Sequence, residues 1–314
     1  MTRITTAAEN ALILFYTQQN QSNLADLNAQ ISTGLTAQTY DQIAPQANNL
    51  VDFRAEASRQ QDFINTIDTV NTRLQITDQS LAQIQDVVQK FRSLLPGGAF
   101  NTTSPDIKTQ AQLALQQIAG FLNTRDGTRY LFGGTDSQTP PVNISNLPTG
   151  AAATLTTPVN GPPASNGYYA GGPAVPAVRI DTQVTLNYAV KADDPATFEP
   201  IIRVLNFIAQ NAPFNPTNPT DQANVTQAGQ ILDQALQALT TTRGTLGLQQ
   251  AQLNDAKTVH QNTVNIAQNG VSNIVSVDQA TAITKLQTLE TQLQASFTAT
   301  SQIEKLSLVN FING

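Results

Sequence analysis

The chain has 314 residues and a formal net charge of −6, so it is long enough for one large domain or for two or three small ones. It contains no cysteine, one histidine and one methionine, which excludes disulfide scaffolds, thiol catalysis and Cys/His zinc sites. The acidic balance, with a sequence isoelectric point near 4.7, argues against nucleic acid and against an anionic membrane as partners.

The N-terminal segment is apolar but does not resemble a secretion signal. The apolar run at residues 11–16 is short, follows Glu9 and lacks a small-residue cleavage site, so we expect no cleavable signal peptide. No stretch approaches 18 uninterrupted apolar residues, so we predict no bilayer span. Residues 4–35 carry too little apolar surface to fold alone, and we expect this arm to become ordered only against neighbours.

A long helix is predicted after this arm. Between residues 50 and 95, apolar side chains recur at steps of three, four or seven, which is the spacing of a coiled coil. Gln60, Asn71 and Asp78 interrupt the apolar seam. Residues 96–98, with the sequence Pro-Gly-Gly, are expected to end the helix.

The middle of the chain has a different composition. Thirteen of the 16 prolines lie between residues 140 and 219, and residues 137–178 carry no charge, so this part cannot continue the helices. Alternation over residues 180–190 predicts a half-buried strand, and residues 131–134 a strand that ends in a glycine turn. Residues 197–210 are expected to form a short helix. We predict a small β or α+β insert.

Further helices are predicted on both sides of this insert. A short amphipathic helix is expected over residues 105–123. Leucine or valine recurs every seven residues from Val225 to Leu253, which predicts a second long helix, and residues 278–312 are expected to form the last one. The predicted fold is therefore mainly α: an antiparallel bundle or coiled coil of paired N- and C-terminal segments, with the small inserted domain between them.

Few residues offer chemistry. His260 falls on the helical seam without a second histidine or a nucleophile motif, and residues 193–194 indicate a turn or a helix cap. The three Gly-Gly pairs lack the context of a phosphate loop and are interpreted as turns. Tyr168 and Tyr169 could stack on a glycan, although ordinary loop packing is the simpler interpretation. We predict no enzyme, no catalytic residue, no cofactor and no metal site.

Several segments resemble the bacterial flagellin family. Residues 27–35, LNAQISTGL, are similar to the family's Q-I-S-S-G-L segment, and residues 71–84 are similar to its second helical block. Residues 129–135, RYLFGGT, resemble a Y-L-F-x-G-T strand of members that join hook and filament. Residues 293–297 and 306–312 resemble the end of the same members more than that of filament flagellins.

This resemblance implies a structural subunit of the bacterial flagellum, extracellular and exported without a cleavable signal. Its implied partners are the preceding hook-associated protein, flagellin, copies of itself in a helical ring, and a cytosolic export chaperone. Residues 1–44 with 279–314 would form the inner tube, residues 45–135 with 220–278 the helical bundle, and residues 136–219 an outward-facing insert. A filament-forming flagellin is the alternative; an unrelated exported coiled-coil protein and an enzymatic insert are further ones.

Both terminal helices are expected to provide the assembly contacts. The predicted interface consists of their apolar side chains, namely Ile4, Leu12, Phe15, Leu24, Leu27, Ile31, Leu286, Leu289, Leu293, Phe297, Ile303, Leu306, Leu308 and Phe311.

Overall fold

A computed structural model describes residues 2–98, 106–127, 129–159 and 167–312. The side chains of residues 2–7, 9–10, 96–98, 303–304 and 306–312 lie outside this description. The fold is mainly helical, as predicted. Its helices are α1 (Thr2–Thr33), α2 (Ala47–Gly98), α3 (Ile107–Leu122), α4 (Phe198–Asn211), α5 (Pro219–Val275) and α6 (Gln279–Ile312).

The strands are short and form two separate antiparallel hairpins. Strand β1 (Arg125–Asp126) pairs with β2 (Arg129–Tyr130), and β3 (Ala177–Arg179) pairs with β4 (Thr185–Asn187). Short 3-10 helices occur at Tyr40–Ile43, Ile144–Asn146 and Gly150–Ala152.

The chain divides into two compact units. The first comprises Met1–Gln60 and Asn262–Gly314, and the second comprises Gln61–Gln261. Helices α2 and α5 contribute residues to both units.

The core of the second unit begins with the seam between α2 and α5. Ile67, Leu74, Leu81 and Ile84 of α2 are at most 1% exposed, because the predicted heptad steps bring them onto one face. The facing side chains of α5 are at most 3% exposed and recur at the predicted sevenfold spacing: Leu232, Leu239, Leu246 and Leu253.

Polar contacts fix the antiparallel register of these two helices. Asp68 accepts from Lys257, Asn71 donates to Asn254, and Asp233 accepts from Arg92, so each step along α2 is matched by an equal step back along α5. Two of the predicted seam interruptions are thereby explained. Asn71 makes the contact above, and Asp78 receives two hydrogen bonds from Arg243, at 2.7 and 3.2 Å. These polar side chains specify the register while the leucines supply the burial.

The insert packs through α4 against α3, and both helices contribute to this core. Helix α4 buries nearly its whole length, including Phe198, Ile201 and Leu205, and Phe198 meets Phe132 edge to face at 5.9 Å between ring centroids. Three polar side chains of α4 hold the uncharged segment that precedes the hairpin. Asn206 donates to Pro148 O, Asn211 donates to Ala153 O, and Glu199 accepts from Val159 N.

Both predicted strands of the insert were misplaced. The alternating segment 180–190 is not one strand, because the chain reverses at Ile180–Val184, where Ile180 N donates to Val184 O at 2.9 Å. Alternation of polarity cannot reveal such a reversal, because a hairpin keeps the same two faces. The strand expected at residues 131–134 lies instead at Arg129–Tyr130, and the residues that follow it form turns.

Two of the Gly-Gly pairs pack against each other. Gly172 N donates to Gly133 O at 2.8 Å, and a Cβ on Gly134, whose φ is +61°, would lie 2.6 Å from Gly172 O. Only residues without a side chain permit this approach of two backbones. The interpretation as turns or bends holds for these two pairs, but it is wrong for Gly97 and Gly98, which form the last residues of α2.

Candidate functional site

The N- and C-terminal helices, α1 and α6, pair with each other in the first unit. The prediction that the two ends of the chain lie together is therefore confirmed. Helix α6 begins at a cap formed by Asp278, whose carboxylate accepts from Ala280 N and from the amide and hydroxyl of Thr281. The Thr281 hydroxyl and then the amides lower the pKa of Asp278 below its ordinary value.

The turns at the base of this helix pair are joined by backbone hydrogen bonds. Thr36 N donates to Val275 O at 2.7 Å, and Val277 N donates to Gly34 O at 3.0 Å. Leu35 and Ser276 thus form an antiparallel bridge across 240 residues of chain. Gly34 lies just beyond the end of α1 with φ +71°, a conformation that glycine adopts without strain. The turns that lead out of α1 and into α6 are held at the same level.

The paired helices bury little apolar surface. The buried apolar side chains of the first unit, among the residues described, are Leu50, Val264, Ala267, Ala282 and Leu293. All other buried apolar side chains of the described residues belong to the second unit.

The first unit instead exposes many large apolar side chains. Among the described residues, its exposed ones are Leu12, Leu14, Phe15, Tyr16, Leu35, Tyr40, Val51, Ile266, Ile283 and Phe297. The cause is visible in α1, where five consecutive apolar residues occupy positions 12–16. Because successive residues of a helix point about 100° apart, one partner helix cannot cover all five. Surfaces of this kind mark sites of protein association.

The predicted interface residues divide into three groups. Leu12, Phe15 and Phe297 are 55%, 60% and 53% exposed. Leu24, Leu27, Ile31, Leu286 and Leu289 are half-buried, and Leu293 is 8% exposed. The side chains of Ile4, Ile303, Leu306, Leu308 and Phe311 lie outside the described residues. The structure therefore separates residues that hold α1 to α6 from residues that remain uncovered.

Sequence reasoning omitted two exposed residues of α1, Leu14 and Tyr16. A helical stripe selects one face, whereas the signal here is the unbroken run from Leu12 to Tyr16. Sequence reasoning also gave no indication of a groove of about 780 Å³ along the helix pair. Residues that line this groove include Asp26 and Leu27 of α1 and Thr284, Lys285 and Leu289 of α6.

The residues considered for chemistry have structural roles. His260 is buried, donates from Nε2 to Ile180 O at 2.8 Å and stacks on Phe63 with ring centroids 5.1 Å apart. Asp194 caps the turn before α4 by accepting from the amides of Ala196 and Thr197, as the sequence predicted.

The tyrosine pair is packed into the insert. Tyr168 is fully buried and donates to Ala192 O at 2.7 Å, and burial raises its pKa strongly. Tyr169 is half-buried, donates to Gly172 O, and has its pKa raised mainly by burial. Neither ring forms an open platform for a glycan, so the loop-packing interpretation is confirmed.

Metal-binding clusters and membrane spans are both missing from the described ranges. No group of three or more His, Cys, Asp or Glu side chains in those ranges is placed to bind a metal ion. None of the helices described there combines the length and the apolar character that crossing a membrane demands.

Comparison with known proteins gives matches at both ends of the chain. A family model for the bacterial flagellin N-terminal helical region matches residues 4–137, and one for the C-terminal helical region matches residues 230–312. Among curated protein sequences, no match was found.

Solved structures share the fold. A Vibrio parahaemolyticus protein described as a flagellar hook-associated protein is 17% identical; the match has a TM-score of 0.59 and covers 75% of this chain and 100% of that one. FlgL of Bacillus cereus is 15% identical; its match has a TM-score of 0.53 and covers 71% of this chain and 99% of that one.

Proposed function

This chain belongs to the bacterial flagellin family and is a structural protein of the flagellum, and on that premise we propose that it is the subunit that joins the hook-associated zone to the flagellin filament. One observation carries the assembly role. Among the described residues, the first unit leaves ten large apolar side chains exposed and buries five, whereas the second unit has an extensive core. A subunit whose terminal helices are completed by neighbouring subunits has this distribution of apolar surface.

The junction role, as opposed to the filament role, has narrower support. It rests on the segments 129–135 and 293–312, which resemble hook-associated members. It also rests on the two similar structures, one described as a flagellar hook-associated protein and one as FlgL, of which the matches cover 100% and 99%. The alternative is a flagellin that forms the filament itself.

We further propose that the terminal helices fold fully only on assembly and contact neighbours head to tail, since heterologous contacts generate open helical arrays. The partners are the preceding hook-associated protein on one side and flagellin on the other. The proposed layers keep the predicted bounds: 1–44 with 279–314 inside, 45–135 with 220–278 around them, and 136–219 outside. A cytosolic chaperone would cover the C-terminal helix before export. No enzymatic activity is proposed.

The test combines microscopy with hydrogen exchange. Purified protein is incubated alone and with short flagellin seeds, and the products are examined by negative-stain electron microscopy. We expect decorated seed ends and no long filaments from the protein alone. Long filaments from this protein alone would establish the filament alternative.

Hydrogen exchange of residues 8–33 addresses folding on assembly. We expect amide protection to increase at least tenfold between the free and the seed-bound protein. Equal protection in both states would contradict assembly-coupled folding without affecting the junction assignment.

A further inference from the structure

A small cavity in the second unit lies between α2, β2 and the residues that follow β4. Its volume is about 20 Å³, and its lining includes Arg73, Arg129, Ser137 and Tyr188. About 10–15 Å³ of such volume is enough for one water-sized particle. The cavity therefore has room for one particle of roughly atomic size.

The polar side chains of this cavity present donors. Arg73 donates from Nε to Asp126 at 2.7 Å and from one terminal nitrogen to the Tyr188 hydroxyl at 3.1 Å. Arg129 donates from Nε to Ser137 Oγ at 3.1 Å. A guanidinium has five N–H donors and no acceptor, and a phenol that accepts a hydrogen bond keeps its own proton to donate. Within the described residues, the terminal nitrogens of Arg129 and the Tyr188 proton have no hydrogen-bond acceptor.

The local charge is positive in a chain whose net charge is −6. Arg73 forms an ion pair with Asp126, and its side chain is 19% exposed. Arg129 forms no ion pair among the described residues, although Asp126 lies opposite it in the β1–β2 hairpin. The guanidinium of Arg125 lies 4.8 Å from the centre of the Tyr130 ring on the same hairpin. Like charges held close together at a partly buried site repel each other more strongly than they do in water.

We propose that this cavity binds one small inorganic anion of the size of chloride. Arg129 and Tyr188, which carry the free donors, both line this space, and a negative charge there would add to that of Asp126 in offsetting the repulsion between Arg73 and Arg129. A volume of about 20 Å³ favours a monatomic anion over a phosphate group or a carboxylate-bearing peptide. A bound anion would link β2 to α2 and so fasten the base of the insert to the bundle.

Chloride-35 NMR of the full-length protein tests the proposal. At constant ionic strength, with gluconate replacing chloride, we expect the wild type to broaden the chloride resonance. Arg129→Gln is expected to lose that excess broadening. The matched control is Lys90→Gln, which removes one exposed positive charge from α2 and is expected to keep the broadening.

A second measurement and a second variant distinguish loss of anion binding from misfolding of Arg129→Gln. The thermal midpoint of the wild type is expected to rise when chloride replaces gluconate, because a ligand of the folded state shifts that midpoint. Tyr188→Phe removes one donor, keeps the Arg73–Asp126 pair, and is expected to weaken both effects at least threefold. No excess broadening in the wild type, which would mean that the cavity holds only water, overturns the proposal. So does equal broadening by Arg129→Gln and Lys90→Gln.

Discussion

Gly270 of α5 packs its bare backbone against the ring of Phe53 of α2 within the first unit. A Cβ atom at Gly270 would lie 2.7 Å from Cε2 of Phe53 and 2.8 Å from two further ring atoms. The ring occupies the space that any side chain at position 270 would need, so the close approach of these two helices depends on a glycine there.

We therefore expect Gly270→Ala to lower the free energy of unfolding by about 1–2 kcal/mol, because overlap with the ring outweighs the gain in helix propensity. Gly244, also in α5, offers open space instead, because a Cβ atom added there would meet no atom within 4 Å. Gly244→Ala is accordingly expected to stabilise the protein by about 0.5–1 kcal/mol. Urea denaturation of both variants checks the contrast.

The double variant Phe53→Ala/Gly270→Ala isolates the contact itself. If the ring causes the loss, Gly270→Ala should cost less in the Phe53→Ala background than in the wild type. The same loss in both backgrounds would show that the overlap is relieved elsewhere.

Exposed and buried members of the terminal helices should respond differently to the same substitution. Phe15→Ser changes a side chain that is 60% exposed, so monomer stability should change by no more than about 0.5 kcal/mol while seed-end binding is lost. Leu293→Ser changes one that is 8% exposed; it should cost about 2–4 kcal/mol wherever α1 and α6 are paired, and it should therefore lower the thermal midpoint of the seed-bound protein.

Thermal unfolding and electron microscopy of the two serine variants provide the measurements. Undiminished seed-end binding by Phe15→Ser would remove this side chain from the assembly surface. A large loss of monomer stability in Phe15→Ser would show that another part of the monomer covers it.

His260 joins the insert to α5 through the carbonyl of Ile180. His260→Phe keeps an aromatic ring beside Phe63 but leaves this buried carbonyl without its donor, which should cost about 1–3 kcal/mol. Hydrogen exchange should speed up at Val184, whose amide lies in the same hairpin. Unchanged exchange there, together with unchanged stability, would mean that the hydrogen bond does not hold the hairpin.

The Asp278 cap predicts a pH dependence at the start of α6. Its pKa is lowered in the folded protein by the Thr281 hydroxyl and by the Thr281 and Ala280 amides, so the cap stabilises the helix above the unfolded pKa near 3.8. That contribution is lost as pH falls through the lower, folded-state value. Amide exchange at residues 280–282, corrected for intrinsic rates, should lose protection below about pH 4 in the wild type. In Asp278→Asn, this protection should vary less over the same range.

The heptad steps of α2 and α5, the proline-rich insert and the resemblance at both ends predicted the helical fold, the pairing of the chain ends and the family. These features are local or strictly periodic, so they can be identified from the sequence alone. The cap at Asp194 was predictable for the same reason, because its carboxylate bonds to amides only two or three residues further along the chain.

Tertiary structure decided the rest. Three features depend on contacts that form only when the chain folds: the reversal inside residues 180–190, the bridge between Leu35 and Ser276, and the fit of Gly270 to Phe53. A local pattern of residue types does not predict such contacts. The same holds for the exposed run from Leu12 to Tyr16: its apolar character is a property of the sequence, but which of its faces α6 leaves uncovered depends on how the two helices pack.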